Sequence, residues 1–239
     1  MQLHVGTSGY SYKEWKGSFY PEKIPAGDML GFYAKQFAAV ELNNTFYRMP
    51  VAAVLTANAG EVPKHFRFSI KAPQSITHRK RLNGVEEDME HLVETVKSLK
   101  KKQGPILFGL PPNFKKYVER LDNLLTLLGR KTPATFEFRH ESWFDDEVYD
   151  CLRRHNCPLC IADTEEMPDP RVVSTADWGY VRLRRDTYTT PKLRKWVKVI
   201  ASQNWKETYV FFKHEDTGTG PKFAAKFLEL AAEAGLLGP

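Results

Sequence analysis

The chain has 239 residues, of which 42% are hydrophobic and 27% charged, a composition that indicates a packed core and excludes a disordered protein. Its formal net charge of +6 favours anionic partners through long-range attraction, without by itself establishing nucleic-acid binding. No apolar run approaches the roughly 20 residues that a membrane-spanning helix needs, so no membrane association is predicted.

Short strand-like segments alternate with helix-like segments along the whole chain. The predicted strands cover residues 3–8, 40–47, 66–73, 105–112, 134–139, 158–163, 180–185 and 208–214. The predicted helices cover residues 27–37, 51–59, 84–102, 115–128, 145–155, 191–203 and 220–235, and the helix after the sixth strand is expected to be short or absent.

Eight such units in a chain of this length predict an α/β fold, a single (β/α)8 TIM-type barrel that forms one domain over residues 1–239. A doubly wound open sheet is the competing fold. It is disfavoured because no G-x-G-x-x-G pattern follows the first strand.

The predicted strands alternate apolar and polar residues. In the fifth strand Phe136 and Phe138 share one face, while Glu137 and Arg139 share the other. The second, third and seventh strands alternate in the same way, whereas parallel strands buried between helices are usually apolar throughout. We therefore expect a polar lumen, with Phe136 and Phe138 packed beneath the helices.

In TIM barrels the catalytic residues lie at the C-terminal ends of the strands. Glu41 and Glu137 are candidate acid–base catalysts there, and His78 is a candidate proton carrier. The alternative is a purely structural network in which lumen arginines neutralise the two carboxylates. Glu41 would lie beside Arg67, and Glu137 beside Arg182 and Arg139.

The candidate substrate-binding residues come from the same strand ends and the loops that follow them. Arginine forks bind phosphate and carboxylate groups in a bidentate manner, and aromatic side chains could line the pocket. These candidates are Thr7, Ser8, Trp15, Asn43, Tyr47, Lys71, Arg139, Trp143, Asp163, Arg182, Arg184 and Lys213.

Metal and thiol chemistry are both disfavoured, and no cofactor is predicted. Glu137, Asp163 and His214 could supply metal ligands, but the cations around them oppose a metal ion, and no H-x-H or H-E-x-x-H motif is present. Cys157 and Cys160 form a lone C-x-x-C without a second ligand pair, so we expect core thiols in a cytoplasmic protein. The first residues, MQLHVGTSGY, also lack the features of a signal peptide.

Five motifs resemble the YecE-like family, also called domain of unknown function 72. They are VGTSGYSYKEWKGSFYPE (5–22), VELNNTFYRMP (40–50), FSIKAPQSITH (68–78), GPILFGLPP (104–112) and FEFRHESWF (136–144). The resemblance implies a TIM-type barrel but no particular reaction. By residue-wise match it points to Thr7, Ser8, Gly9, Trp15, Glu41, Asn43, Thr45, Phe46, Tyr47, Lys71, Thr77, His78, Glu137, Arg139, Trp143, Asp163 and Arg182.

The chain departs from the family pattern at two strand ends, and both changes make the mouth of the barrel more basic. Arg184 and Arg185 stand where members have His-Gly, and Lys213 and His214 stand where they often have Asn-Asn. We therefore predict an enzyme with hydrolase-like acid–base chemistry on a phosphate-containing or other anionic substrate. The alternative is a non-catalytic nucleic-acid or nucleotide binder.

Overall fold

A computed structural model describes residues 1–129, 131–213 and 218–236. Eight parallel strands within these ranges form one sheet with the order β5-β4-β3-β2-β1-β8-β7-β6. The strands are β1 (Gln2–Ser8), β2 (Ala39–Leu42), β3 (Arg67–Lys71), β4 (Gln103–Gly109), β5 (Ala134–Glu137), β6 (Ile161–Asp163), β7 (Trp178–Leu183) and β8 (Glu207–Phe212).

The two ends of this sheet meet between β5 and β6. Phe136 on β5 forms an isolated parallel bridge with Leu159, just before β6. The Phe136 carbonyl accepts a hydrogen bond from the Cys160 amide at 2.8 Å, and the Phe136 amide donates to the Pro158 carbonyl at 3.4 Å. The sheet is therefore a nearly closed barrel, which confirms the predicted fold class.

Helices follow most of the strands and cover the outside of the barrel. Residues 164–177, all of which are described, contain no helix, in agreement with the prediction for the segment after the sixth strand. No helix in the described part of the chain is long and apolar enough to cross a membrane. The helices are α1 (Met29–Tyr33), α2 (Ala52–Gly60), α3 (Glu86–Lys97), α4 (Val118–Leu128), α5 (Asp146–Arg154), α6 (Thr190–Ala201) and α7 (Thr219–Glu233).

The second strand is shorter than predicted. It ends at Leu42, and a 3-10 turn over Asn44–Phe46 follows it. The Thr45 hydroxyl donates to the carbonyls of Leu42 and Lys71, at 2.8 and 2.7 Å. These bonds stabilise the turn and attach it to the end of β3. Threonine side chains commonly form such local hydrogen bonds with the backbone, and these bonds compete with continuation of the strand.

The core has two parts. The outer part packs the helices against the strand side chains that point away from the lumen, and it includes Phe136 and Phe138 as predicted. The inner part lies in the lumen and comprises Ala39, Leu107, Cys160, Trp178, Tyr180, Tyr209 and Phe211. The lumen also holds buried polar groups: Glu41, Glu137 and Arg182 lie towards its C-terminal end, and His4, which is bonded to Glu207, lies towards its N-terminal end.

Candidate functional site

Arg182 on β7 joins two carboxylates across the lumen. Its Nη2 atom donates a hydrogen bond to Oε1 of Glu41 at 2.7 Å, and its Nη1 atom donates to Oε2 of Glu137. Glu41, Glu137 and Arg182 expose 0%, 3% and 1% of their surfaces, so this double ion pair is enclosed by protein.

The expected pairing of Glu41 with Arg67 is wrong. Arg67 is the first residue of β3 and lies at the opposite, N-terminal end of the barrel, whereas Glu41 lies near the C-terminal end of β2. There the Arg67 guanidinium donates to the carbonyls of His65 and Phe66, at 2.9 and 3.2 Å. The position of each residue along its strand, rather than its charge, decides which pair can form.

Further hydrogen bonds satisfy the remaining carboxylate oxygens. Ser8 donates to Oε1 of Glu41 at 2.8 Å, and the Tyr180 hydroxyl donates to Oε2 of Glu41 at 2.6 Å. The Nε and Nη2 atoms of Arg139 both donate to Oε1 of Glu137, at 3.0 and 2.9 Å. The result is a connected network whose members restrict one another's conformations.

This network keeps both carboxylates ionised. Burial alone would raise the pKa of the Glu41 carboxyl, but the Arg182 guanidinium and the Tyr180 hydroxyl hold that pKa below its usual value. Burial is likewise outweighed at Glu137, where Arg182 and Arg139 lower the carboxyl pKa. Strongly ionised carboxylates are weak bases, so their arrangement favours charge stabilisation and positioning over proton transfer.

Two further cations at the mouth lack a carboxylate partner among the described residues. The Nη1 atom of Arg184 donates to the Ser8 hydroxyl at 3.3 Å. This is the one hydrogen bond of the Arg184 guanidinium within the described residues. The nearby positive charge of Arg182, together with burial, lowers the pKa of Arg184 to about 10. The Lys71 ammonium lies 4.5 Å from the centroid of the Phe46 ring, and burial, with Arg182, lowers its pKa to about 8.

A cavity of 690 Å³ opens beside Arg184 at the C-terminal ends of β5 to β8. Glu137, Arg139, Arg184 and Lys213 line it, together with the loop that follows β6. The Lys213 ammonium forms an ion pair with Asp186 at 2.7 Å. The rim is therefore of mixed charge, and the lining comprises Pro112, Glu137, Phe138, Arg139, Ala162, Thr164, Glu165, Glu166, Met167, Arg184, Asp186 and Lys213.

The other predicted mouth residues lie on the β2 and β3 side. Asn43 lines a separate groove of 360 Å³, and its buried Oδ1 atom has no hydrogen-bond partner in the described structure. The His78 Nδ1 atom lies 2.9 Å from the Thr77 hydroxyl, and its ring meets the Phe46 ring edge-on at 4.9 Å. Tyr47 is 74% exposed.

Thr7 and Asp163 do not point into the lumen. The amide and hydroxyl of Thr7 contact the Tyr33 hydroxyl, at 2.7 and 2.9 Å, on the helix side of β1. The Asp163 carboxylate accepts bonds from Arg185 at 2.6 Å and from Trp196 on α6 at 3.0 Å. Because side chains alternate along a strand, Thr7 and its neighbour Ser8 cannot both face the lumen.

Two predicted aromatic residues belong to the core instead of the mouth. Trp15 is fully buried, and its ring lies 4.7 Å from that of Tyr12 and 5.8 Å from that of Phe19. Trp143 is also fully buried; its indole donates to the Phe114 carbonyl at 2.6 Å and stacks on Phe138 at 4.7 Å. Both tryptophans fix loops that follow barrel strands.

Tyr180 and Ser69 also belong to the network, although neither is among the site residues predicted from the sequence. The Tyr180 hydroxyl lies 2.7 Å from the Ser69 hydroxyl, and it is this tyrosine that holds Glu41. Tyr180 precedes Arg182 by two residues, so the same alternation that placed Arg182 in the lumen could have placed Tyr180 there too.

The disfavoured metal set is not assembled by the described residues. Asp163 points to the helix side while Glu137 points into the lumen, and His214 lies outside the described residues. Another group of metal-ligand types does lie close together between α4 and α5. The ligand atoms of Asp122, Cys151 and His155 are all within 4.8 Å of one another, but Oδ1 of Asp122 already accepts a hydrogen bond from Arg154 at 3.2 Å.

Comparisons with known proteins identify relatives over nearly the whole chain. A family model described as "Protein of unknown function DUF72" matches residues 4–237. The chain is 25% identical over 228 residues to the UPF0759 protein YunF of Bacillus subtilis, covering 89% of this chain and 78% of YunF.

Two crystal structures support the fold. A DUF72 family protein of Thermotoga maritima is 30% identical, with a TM-score of 0.87 over 97% of this chain and 100% of that one. A DUF72 family protein of Enterococcus faecalis, 18% identical, has a TM-score of 0.83 over 97% of this chain and 96% of its own. None of these descriptions names a substrate or a reaction.

Proposed function

The chain belongs to the DUF72 family of proteins of unknown function, and we propose that its barrel mouth binds a phosphate-containing or similarly anionic substrate and acts on it by acid–base chemistry. The observation that carries this proposal is a surplus of positive charge around the two buried carboxylates, although the cavity rim itself is of mixed charge. Four cations, Arg139, Arg182, Arg184 and Lys71, stand against two carboxylates, Glu41 and Glu137.

Such a surplus is costly without a counter-ion, because burial disfavours an unpaired charge. Arg182 is already paired with the two carboxylates beneath the mouth, Glu41 and Glu137. Arg184 and Lys71 are therefore the cations that a bound anion would neutralise. The anion would sit at the ends of β7 and β1, where Arg184 and Ser8 meet. Phosphate is commonly held near the seventh and eighth strands of TIM barrels.

The proton transfers fall to groups other than the two buried carboxylates. His78 has a pKa lowered by burial and by Arg139, so its imidazole is neutral at neutral pH and able to accept a proton. Glu41 and Glu137 would hold Arg182 in place and stabilise positive charge that develops on the substrate. Hydrolysis is the reaction that the sequence predicts for this site.

Binding and turnover of phosphate compounds test the proposal. We expect inorganic phosphate to raise the melting temperature of the wild type and not that of Arg184→Gln, with Arg194→Gln as the matched control, because Arg194 is paired with Glu233 on the exposed helical surface. Turnover of phosphate esters is then compared between the wild type and Glu137→Gln. Equal phosphate stabilisation in all three proteins would contradict the anion site, and equal turnover would remove Glu137 from the chemistry.

A second candidate, a non-catalytic binder of nucleic acid or nucleotide, is favoured by the exposed Tyr47 beside this basic mouth. Stacking on an exposed aromatic ring, together with phosphate contacts, is a common way to hold single strands. It predicts retention of single-stranded nucleic acid that weakens steeply with salt and proceeds without turnover. Absence of binding at low salt would contradict it.

A further inference from the structure

Lys71 is unusual among the partly buried lysines of this protein, because its ammonium has neither a hydrogen bond nor an ion pair within the described residues. It is the last residue of β3, and it lies over the Phe46 ring. Lys102 shows the ordinary arrangement: its ammonium donates to the carbonyls of Ala59 and Val62, the latter at 2.6 Å. The structure therefore leaves the Lys71 nitrogen available to a ligand.

The charges that face Lys71 come from three strands and from the segments that follow β3 and β5: Glu41, Glu137, Arg139, Arg182 and His78. Burial and the Arg182 charge lower the pKa of Lys71, and the two carboxylates only partly oppose them, which gives a pKa of about 8. At neutral pH about one amine in ten is then unprotonated, a several-hundredfold larger share than in an ordinary lysine.

We propose that Lys71 is a nucleophile that forms an imine with the aldehyde or ketone group of an anionic substrate. This inference rests on the proposed function and narrows its substrate class to anionic carbonyl compounds. A lysine desolvated beside another cation is a recognised arrangement for imine chemistry, since the neutral amine is the reacting form. Here the neighbouring cation is Arg182, which the two carboxylates hold in place.

The reaction balances without an oxidant or a metal. The neutral Lys71 nitrogen forms a bond to the carbonyl carbon as the carbonyl π bond breaks. The nitrogen then loses one proton and the former carbonyl oxygen gains one, which gives a neutral carbinolamine with a lone pair on nitrogen. The nitrogen lone pair then expels that oxygen as water after a second protonation, which leaves a protonated imine. His78 is the titratable group on this side of the mouth that could relay these protons, and its ring shares the Phe46 side chain with Lys71.

The distance to the anion site limits the size of the substrate. Arg184 reaches Ser8 on β1, and Lys71 lies on β3, two strands away. Neighbouring strands are about 4.8 Å apart, so the backbones of β1 and β3, which carry Ser8 and Lys71, are separated by roughly 10 Å. A short phosphorylated aldehyde or ketone spans this distance, with its phosphate at Arg184 and its carbonyl at Lys71.

Two probes that differ only in a phosphate group test the inference. The protein is incubated with pyridoxal phosphate or with pyridoxal and reduced with borohydride, and the labelled lysines are located by peptide mass spectrometry. We expect Lys71 to be the main labelled residue, with faster labelling by pyridoxal phosphate and a rate that rises around pH 8. Lys71→Arg keeps the charge and should lose this label, while Lys102→Arg should retain it. Labelling spread evenly over surface lysines, or a Lys71 rate that rises only near pH 10, would overturn the proposal.

The Arg184→Gln variant separates this inference from the anion site. If both proposals hold, the variant loses the advantage of pyridoxal phosphate over pyridoxal, and Lys71 remains the main residue labelled by either probe. If phosphate stabilises the wild type but neither probe labels Lys71, the imine is wrong and the anion site stands. If both probes label Lys71 equally and phosphate neither stabilises nor protects, the nucleophile stands and the anion site is wrong.

Discussion

The Nη2 atom of Arg182 lies 2.7 Å from the Oε1 atom of Glu41, although the two residues are 141 positions apart in the chain. Both side chains are buried, so a substitution that removes one of them leaves the charge of the other buried without its ion-pair partner. We expect Arg182→Met to lower the free energy of unfolding by about 3–5 kcal/mol, because Glu41 and Glu137 lose their shared cation. Urea unfolding measures this loss. The control is Arg194→Met, which breaks an exposed pair and should cost less than about 1 kcal/mol; equal losses would contradict the prediction.

The ion pairs should also determine how stability depends on pH. The pKa of Glu137 is lower in the folded protein than its usual value of 4.5, so its stabilising contribution is complete above that value and is lost as the pH falls towards the folded-state pKa. We expect the wild type to lose stability steeply in acid. Glu137→Gln should start from a lower stability at neutral pH and decline less steeply. Urea midpoints between about pH 7 and about pH 3 measure both curves, and parallel curves would refute this assignment.

Gly6 allows β1 and β2 to approach each other closely. A Cβ atom at this position would lie 1.8 Å from the Ala39 carbonyl oxygen, so Gly6→Ala requires the strands to move. We expect a loss of at least about 1–3 kcal/mol in the free energy of unfolding, the usual cost of overpacking. Gly60→Ala in α2 is the control, since a Cβ atom there meets nothing within 4 Å and alanine favours a helix. A loss no larger than that of the control would contradict the close approach.

Trp143 should matter for stability and not for ligand binding. In Trp143→Phe the Phe114 carbonyl loses its buried donor, and we expect a loss of about 1–3 kcal/mol in the free energy of unfolding. Phosphate should still raise the melting temperature as it does in the wild type, because the indole contacts the core and not the mouth. If the variant is as stable as the wild type but phosphate no longer raises its melting temperature, Trp143 belongs to the binding site and the prediction is wrong.

The sequence was most informative where the answer depends on local geometry. Alternation along β5 and β7 placed Glu137 and Arg182 in the lumen, since side chains of a strand change face at every residue. The same rule places the neighbouring side chains of Ser8 and Thr7 on opposite faces of β1, so only one of them can point into the lumen. It also separates Asp163 from Ala162, which lines the cavity.

The remaining features depend on contacts between distant parts of the chain. The choice of Arg182 rather than Arg67 as the partner of Glu41 follows from the position of each residue along the barrel axis, which no local pattern reveals. The burial of Trp15 and Trp143 arises from loops that fold back on the barrel. From the amino-acid composition of these loops alone, exposed tryptophans in a binding surface were as well predicted as buried tryptophans in the core.

The seam between β5 and β6 is the most weakly paired joint of the barrel in the described structure. β1 and β8 are paired over six residues, whereas β5 meets the segment before β6 through one bridge, and residues 164–177 add no helix to brace that joint within the described structure. Local opening is expected first where the fewest hydrogen bonds must break. The amide hydrogen of Cys160 should therefore exchange with solvent sooner than that of Val5. We therefore expect larger thermal fluctuations in the wall that carries Glu137 and the cavity than in the opposite wall.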